Sequence, residues 1–306
     1  MNIQQVQEKI LKLKKEKDFC ILAHSYVKKE ILEIADKTGD SFKLSQDARM
    51  VDAKNILLCG VRFMAETAKM LNPQKRVYLA NGSAGCPMAE QFSPEDIVEL
   101  KKQYPQHTVV AYVNTTAALK EHCDVCVTSS SAVEIVNKID NDRILFIPDS
   151  NLGNFVAEQT PQKDVRTVNG GCPIHASVTG EEAANMKKLH PGALLLVHPE
   201  CLPEVVAQAD YVGSTSGIIA FAKKSENKEF IIGTELQIAE SLQYDCPDKK
   251  FYPLSKKLIC SDMKITTLFD VLKTLEEPEN ACEIIMDADK IERGRKCIDE
   301  MLRLGE

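Results

Sequence analysis

The fold class predicted from this sequence is α/β: three similar α/β/α domains with parallel sheets, related by pseudo-threefold symmetry. Three observations carry it. Short β-rich runs alternate with helix-period segments, the pattern of a parallel sheet covered on both faces. The pattern recurs, with anchor residues His24, Tyr112 and His198 spaced 88 and 86 residues apart. The features between anchors keep their offsets, so an internal triplication accounts for them better than three unrelated segments would.

Each unit opens on a short apolar run that ends on polar residues: Phe19 to Tyr26, Val109 to Asn114 and Leu194 to Glu200. Twelve residues past the anchor stands an Asp (Asp36, Asp124, Asp210) and seventeen past it a hydroxyl (Ser41, Ser129, Thr215). A second apolar run closes thirty-six past the anchor, at Gly60, Pro148 and Thr234. A Cys follows at offsets of 62, 60 and 62: Cys86, Cys172 and Cys260. Between these marks, Lys28 to Asp36 carries Ile31, Leu32, Ile34 and Ala35 on one helical face, and Val61 to Met70 reads as a helix after the Gly60 turn. Ser93-Pro94-Glu95-Asp96 begins a helix with an N-cap, a proline at the first position and acids at the positive end of the dipole. Thr179 and Thr267 begin helices in the same way. The expected domains are residues 1–105, 106–191 and 192–306, the last with extra C-terminal helices. Glu283 to Met286 echoes a lead strand, ending 88 residues after His198.

Composition narrows the function. The 306 residues are 44% hydrophobic and 27% charged, which excludes a disordered tail, a fibrous repeat and a coiled coil. Lys and Arg total 38 against 45 Asp and Glu, a net charge of −7 that disfavours binding to a nucleic-acid backbone. The longest apolar runs, such as Ala193 to Val197, are too short for a bilayer, so no membrane partner is expected. The Lys-rich start, Met1 to Asp18, has no apolar core and does not read as a signal peptide, so a cytoplasmic location is expected. In that reducing setting the eleven Cys are not a disulfide framework, and metal or iron–sulfur ligation becomes the question.

Ligands of parallel α/β sheets gather at the C-terminal strand ends, where the anchors, hydroxyls and repeated Cys all fall. Cys86 lies in Gly-Cys-Pro-Met and Cys172 in Gly-Cys-Pro-Ile, turns that present sulfur beside open backbone. Cys260 lacks the glycine but keeps the spacing. Three thiolates from three equivalent loops suit a [4Fe–4S] cluster with one iron left open as a Lewis acid. Cys123-Asp-Val-Cys126, beside His122, has the spacing of half a zinc site or a redox pair. The repeat argues for packing instead, because Cys123 aligns with Ala35 and Ala209, and Cys126 with Thr38 and Val212. Cys20, Cys59, Cys201, Cys246, Cys282 and Cys297 have no counterparts and read as structural. His24 and His198 share one strand-end position and His175 lies three residues after Cys172, so all three can move protons near a metal. His107 and His190 read as inert residues of surface turns and His122 as an inert helix residue. Glu200 is a candidate carboxylate base. Ser41, Ser129 and Thr215 read as anion ligands, as N-caps, or as both.

These residues carry a family resemblance along essentially the whole chain. The segments are Ala-His24-Ser-Tyr26, Gly-Asp40-Ser41, Arg62-Phe-Met-Ala-Glu66, Ala-Gly-Cys86-Pro-Met-Ala, Tyr112-Val-Asn114-Thr and Thr-Ser129-Ser. They continue with Pro148-Asp-Ser-Asn-Leu-Gly, Gly-Cys172-Pro-Ile-His175, His198-Pro-Glu200-Cys, Gly-Ser214-Thr215-Ser-Gly and Cys260-Ser-Asp-Met-Lys. As a set they resemble the quinolinate synthase family, in its subgroup without a Cys-x-x-Cys-x-x-Cys run at the third ligand. The resemblance implies condensation of iminoaspartate with dihydroxyacetone phosphate to quinolinate, phosphate and water. It implies a [4Fe–4S] cluster on Cys86, Cys172 and Cys260. The implied substrate pocket is His24, Tyr26, Ser41, Tyr112, Asn114, Ser129, His198, Glu200, Ser214 and Thr215. Glu200 and Tyr112 are expected to transfer protons, with His175, His198 and His24 assisting. The enzyme that supplies iminoaspartate is an expected partner. Three Cys alone also admit two other readings: an iron–sulfur hydro-lyase of a small hydroxy acid, as aconitase is, or a non-enzymatic metal- or metabolite-binding module.

Overall fold

The computed structural model of the chain describes residues 1–305. Its first unit contains β1 (Phe19–His24), β2 (Lys37–Gly39), β3 (Asn55–Cys59) and β4 (Arg76–Leu79). The second contains β5 (Thr108–Tyr112), β6 (Val125–Val127), β7 (Arg143–Ile147) and β8 (Asp164–Thr167). The third contains β9 (Leu194–Val197), β10 (Tyr211–Val212), β11 (Glu229–Gly233) and β12 (Lys250–Pro253). All three parallel sheets share one order, second strand, first, third, fourth: β2-β1-β3-β4, β6-β5-β7-β8 and β10-β9-β11-β12. The chain leaves the first strand in one direction and returns to its other side, so each sheet has a crevice at the C-terminal ends of its two central strands. His24 and Tyr112 end their strands and His198 directly follows β9, so the anchors stand at those crevices.

The central strands are continuous apolar runs because both of their faces are covered. Ile21, Leu22, Leu57, Val110, Ile144, Phe146, Leu196 and Ile231 have almost no exposed surface. One apolar core runs through the first two units and the last two helices, while the third unit keeps a separate core on each face of its sheet.

The repeated Asp has a structural purpose that its offset alone did not disclose. In each unit the short helix after the lead strand turns the chain back, and the Asp ties the turn to that strand. Asp36 accepts the Ile21 N–H, Asp124 the Val109 N–H and Asp210 the Leu195 N–H, each at 2.8 Å. A lysine from the preceding helix pairs with each Asp: Lys14 at 2.8 Å, Lys101 at 3.2 Å and Lys187 at 3.4 Å. Packing shortens the expected Lys28–Asp36 helix to one turn, Lys29–Leu32, because the chain must reverse into β2. His122 lies in the turn after the helix Ala117–Lys120 rather than in a helix.

Helices beginning with capping boxes at Asn2, Ser93 and Thr179 precede the three lead strands, and a fourth box begins the helix Leu268–Glu276. That helix packs against the helix Ile3–Glu16 of the first unit. The strand echo then forms β13 (Cys282–Glu283), which pairs antiparallel with β4. The final helix, Ala288–Leu304, lies against β6 and the helices Arg62–Leu71 and Ala117–Lys120.

Candidate active site

The anchor loops, hydroxyl turns and cysteine turns of all three units line one cavity of about 250 Å³. It brings together His24, Tyr26, Ser41, Tyr112, Asn114, Ser129, Cys86, Cys172, His175, His198, Glu200, Thr215 and Cys260. Ser214 is not among its lining residues; its hydroxyl instead accepts the Gly217 N–H and caps the helix Thr215–Lys224. Asp40 caps the helix Ser41–Arg49 in the same way. Ser41 and Thr215 stand one residue past these caps and line the cavity.

The repeat supplies two side chains per unit. At the anchor stand His24, Tyr112 and His198; two residues on stand Tyr26, Asn114 and Glu200. Both histidines make the same local bond. His24 Nδ1 accepts the Tyr26 N–H at 3.2 Å and His198 Nδ1 accepts the Glu200 N–H at 3.3 Å. An imidazole that accepts at Nδ1 carries its proton on Nε2 when neutral. Burial holds both rings neutral down to about 4. His198 Nε2 lies 3.1 Å from the Ser129 hydroxyl, so the pair Nε2–H···Oγ points into the cavity.

Glu200 is the centre of the polar network. The Tyr112 hydroxyl donates to its Oε1 at 2.5 Å, and His175 Nδ1 lies 2.7 Å from its Oε2. Burial alone would raise this carboxyl; the nearby imidazoles and the hydrogen bonds from His175 and Tyr112 outweigh it and hold Glu200 below the ordinary carboxylate range. The same burial and the Glu200 charge push the Tyr112 phenol well above its usual value. His175 stacks on His198 with ring centres 4.8 Å apart, and its Nε2 meets the Thr234 hydroxyl at 3.0 Å. Thr234 in turn meets the Tyr26 hydroxyl, which also bonds Thr215. The buried Asn114 Oδ1 has no partner within the protein.

The three cysteines share a cradle. The N–H groups two and three residues on point at each sulfur: Met88 and Ala89 at Cys86, Ile174 and His175 at Cys172, Asp262 and Met263 at Cys260. Such donors stabilise a thiolate. Burial opposes them, pushing Cys86 up to about 12 and raising Cys172 and Cys260. Sulfurs that line one cavity and are cradled for negative charge fit an iron–sulfur cluster held by Cys86, Cys172 and Cys260. The donor atoms of Cys172, His175 and Glu200 also approach within 4.8 Å of one another. His175 Nδ1 bonds both partners, at 3.4 Å and 2.7 Å, which explains that closeness without an ion.

Two site residues escaped the sequence. Asp149 is fully buried and accepts the Cys172 N–H at 3.0 Å; burial and the Glu200 charge push its carboxyl up to about 7. Glu235 lines the cavity and accepts the Cys260 N–H at 3.4 Å. Both stand 37 residues past their anchors, a signal hidden because Val61 occupies that position in the first unit.

Cys123 and Cys126 lie away from the cavity. Both are buried, with the Cys123 thiol donating to the Leu119 carbonyl and the Cys126 thiol facing Cys297 at 3.2 Å.

Three α/β units that meet around a shared, buried acid–base network have the arrangement of an enzyme. The chain belongs to the family described as Quinolinate synthetase A protein, whose profile matches residues 8–303. It is 47% identical over 305 residues to a quinolinate synthase of Caldicellulosiruptor bescii, covering 100% of both chains. It is 46% identical to that of Clostridioides difficile, covering 97% of each chain, and 44% identical to that of Methanoregula boonei, covering 98% of each.

Proposed function

We propose that this enzyme condenses iminoaspartate with dihydroxyacetone phosphate to give quinolinate, phosphate and water, using a [4Fe–4S] cluster on Cys86, Cys172 and Cys260. The observation that carries the proposal is the meeting of three equally cradled thiols with the Tyr112–Glu200–His175 network in one cavity. Such a cluster, with one iron free of protein ligands, supplies a Lewis acid for a substrate oxygen.

The chain's own residues divide the remaining work. Both substrates are anionic, and the cavity offers neutral donors rather than cations. The Nε2–H groups of His24 and His198 and the hydroxyls of Ser41, Ser129 and Thr215 hold carboxylate and phosphate oxygens, with Tyr26 bracing Thr215. The Asn114 amide takes a further substrate polar group. Glu200 is ionised and buried, so it removes a proton from substrate carbon or nitrogen. Tyr112 bonds Glu200 and delivers a proton to a departing hydroxyl, then recovers one through the carboxylate. His175 holds the second carboxylate oxygen, and the His198–Ser129 pair gives a second route for protons. A free imine hydrolyses in water, so the enzyme that makes iminoaspartate is the expected partner. Eleven free thiols support a cytoplasmic setting.

The test is anaerobic purification, iron and sulfide analysis, and assay with both substrates. About four irons per chain, with ultraviolet absorbance of a pyridine dicarboxylate and release of phosphate, is the expected result. Loaded protein that only interconverts a hydroxy acid overturns the condensation.

A further inference from the structure

We infer that Asp149, Glu235 and Glu90 are positioning residues that hold the three thiol-bearing turns in place and keep the cluster's reduction potential low. This inference rests on the cluster reading above. Each carboxylate takes the backbone N–H of a cysteine: Cys172 to Asp149 Oδ2 at 3.0 Å, Cys260 to Glu235 Oε1 at 3.4 Å and Cys86 to Glu90 Oε1 at 3.2 Å. Asp149 and Glu235 make the bond from equivalent repeat positions. The first unit has Val61 there and makes the same bond from Glu90, four residues past Cys86. One bond reached by two routes points to a requirement for the bond itself rather than to inheritance of a position.

The geometry shows what the bond accomplishes. The other oxygen of Asp149 accepts the Leu152 N–H at 2.8 Å and caps the helix Ser150–Gln159. The other oxygen of Glu235 accepts the Gln237 N–H at 2.8 Å and caps the helix Leu236–Asp245. Each carboxylate therefore bolts a cysteine turn to a helix of its own unit, with no flexible link between sulfur and scaffold. The bond also engages the cysteine's own N–H with a carboxylate. An amide free to donate to cluster sulfur raises the reduction potential, whereas an acceptor carboxylate beside the turn lowers it. A low potential keeps the cluster in one oxidation state, as suits an iron that binds a substrate oxygen instead of passing electrons.

The experiment uses anaerobically loaded holoenzyme carrying Asp149→Asn, Asp149→Glu, Glu235→Gln or Glu90→Gln. Iron release to a chelator and the reduction potential are followed spectroscopically, with thermal unfolding as a check on the fold. Asp149→Asn is expected to release iron about 10-fold faster and to shift the potential in the positive direction. Asp149→Glu returns the potential towards wild type. Glu90 is exposed, so Glu90→Gln folds and moves both readings the same way by less. Loaded variants with wild-type release rates and potentials overturn the inference. A wild-type protein without iron overturns the cluster reading instead.

Discussion

Two groups of three cysteines lie in this chain, and their backbones treat sulfur in opposite ways. Cys86, Cys172 and Cys260 sit in turns where sulfur receives N–H groups from the following residues. Cys123, Cys126 and Cys297 sit among packed elements, where Cys123 and Cys297 give their hydrogens to backbone carbonyls. Cys123 donates to the Leu119 carbonyl and Cys297 lies against the carbonyls of Lys120 and Gly294, with Cys126 facing Cys297 at 3.2 Å. A sulfur surrounded by donors is prepared to be a thiolate; one surrounded by acceptors is prepared to stay a thiol. Spacing in the sequence cannot make this distinction, and Cys123-Asp-Val-Cys126 is the more conspicuous motif of the two.

The sharpest way to break the comparison is substitution across both groups. Cys86→Ala, Cys172→Ala and Cys260→Ala should each abolish bound iron and product formation, while Cys123→Ala keeps both. Iron analysis of anaerobic preparations decides, and iron loss confined to Cys123→Ala would reverse the assignment. Within the cavity group, Glu200→Gln should lower kcat by roughly 10³-fold with iron retained, since it removes the central base. Tyr112→Phe should cost about 10²-fold, measured as initial rates of quinolinate formation. In the packed group, Cys126→Ala and Cys297→Ala should cost about 1–2 kcal/mol in urea unfolding and leave activity unchanged.

The smallest effect is on pH. In metal-free protein His24 and His198 stay neutral to about 4, against 6.5 when unfolded, so their contribution is complete above 6.5 and is lost as pH falls towards 4. Asp149, raised to about 7 from 3.8, runs the other way and gains stability on acidification. Two imidazoles act against one carboxyl, so stability is expected to fall between pH 6.5 and 4. Unfolding midpoints that rise over that interval would contradict the balance.

Much of this was legible in the residues because triplication turns weak marks into aligned ones. The anchors, the hydroxyls and the three thiols were found by offset, and the cavity contains all of them. Asp149 and Glu235 are not legible for the converse reason: with Val61 in the first unit, only two of three copies carry an acid at that offset. The Asp at offset twelve was seen, but its task of pinning a strand N–H requires the fold. The family resemblance places Ser214 in the pocket, but its hydroxyl caps a helix instead.

The return of the chain to its first unit has a further meaning. Four capped helix starts, at Asn2, Ser93, Thr179 and Thr267, make the molecule three repeats and a fraction of a fourth. The fraction supplies what a linear chain denies to a ring of three: a joint between the last member and the first. Two junctions are covalent; the third is a clasp made of the helix Leu268–Glu276 against Ile3–Glu16 and of β13 on β4. The segment after the third unit thus ties the last member of the ring back to the first.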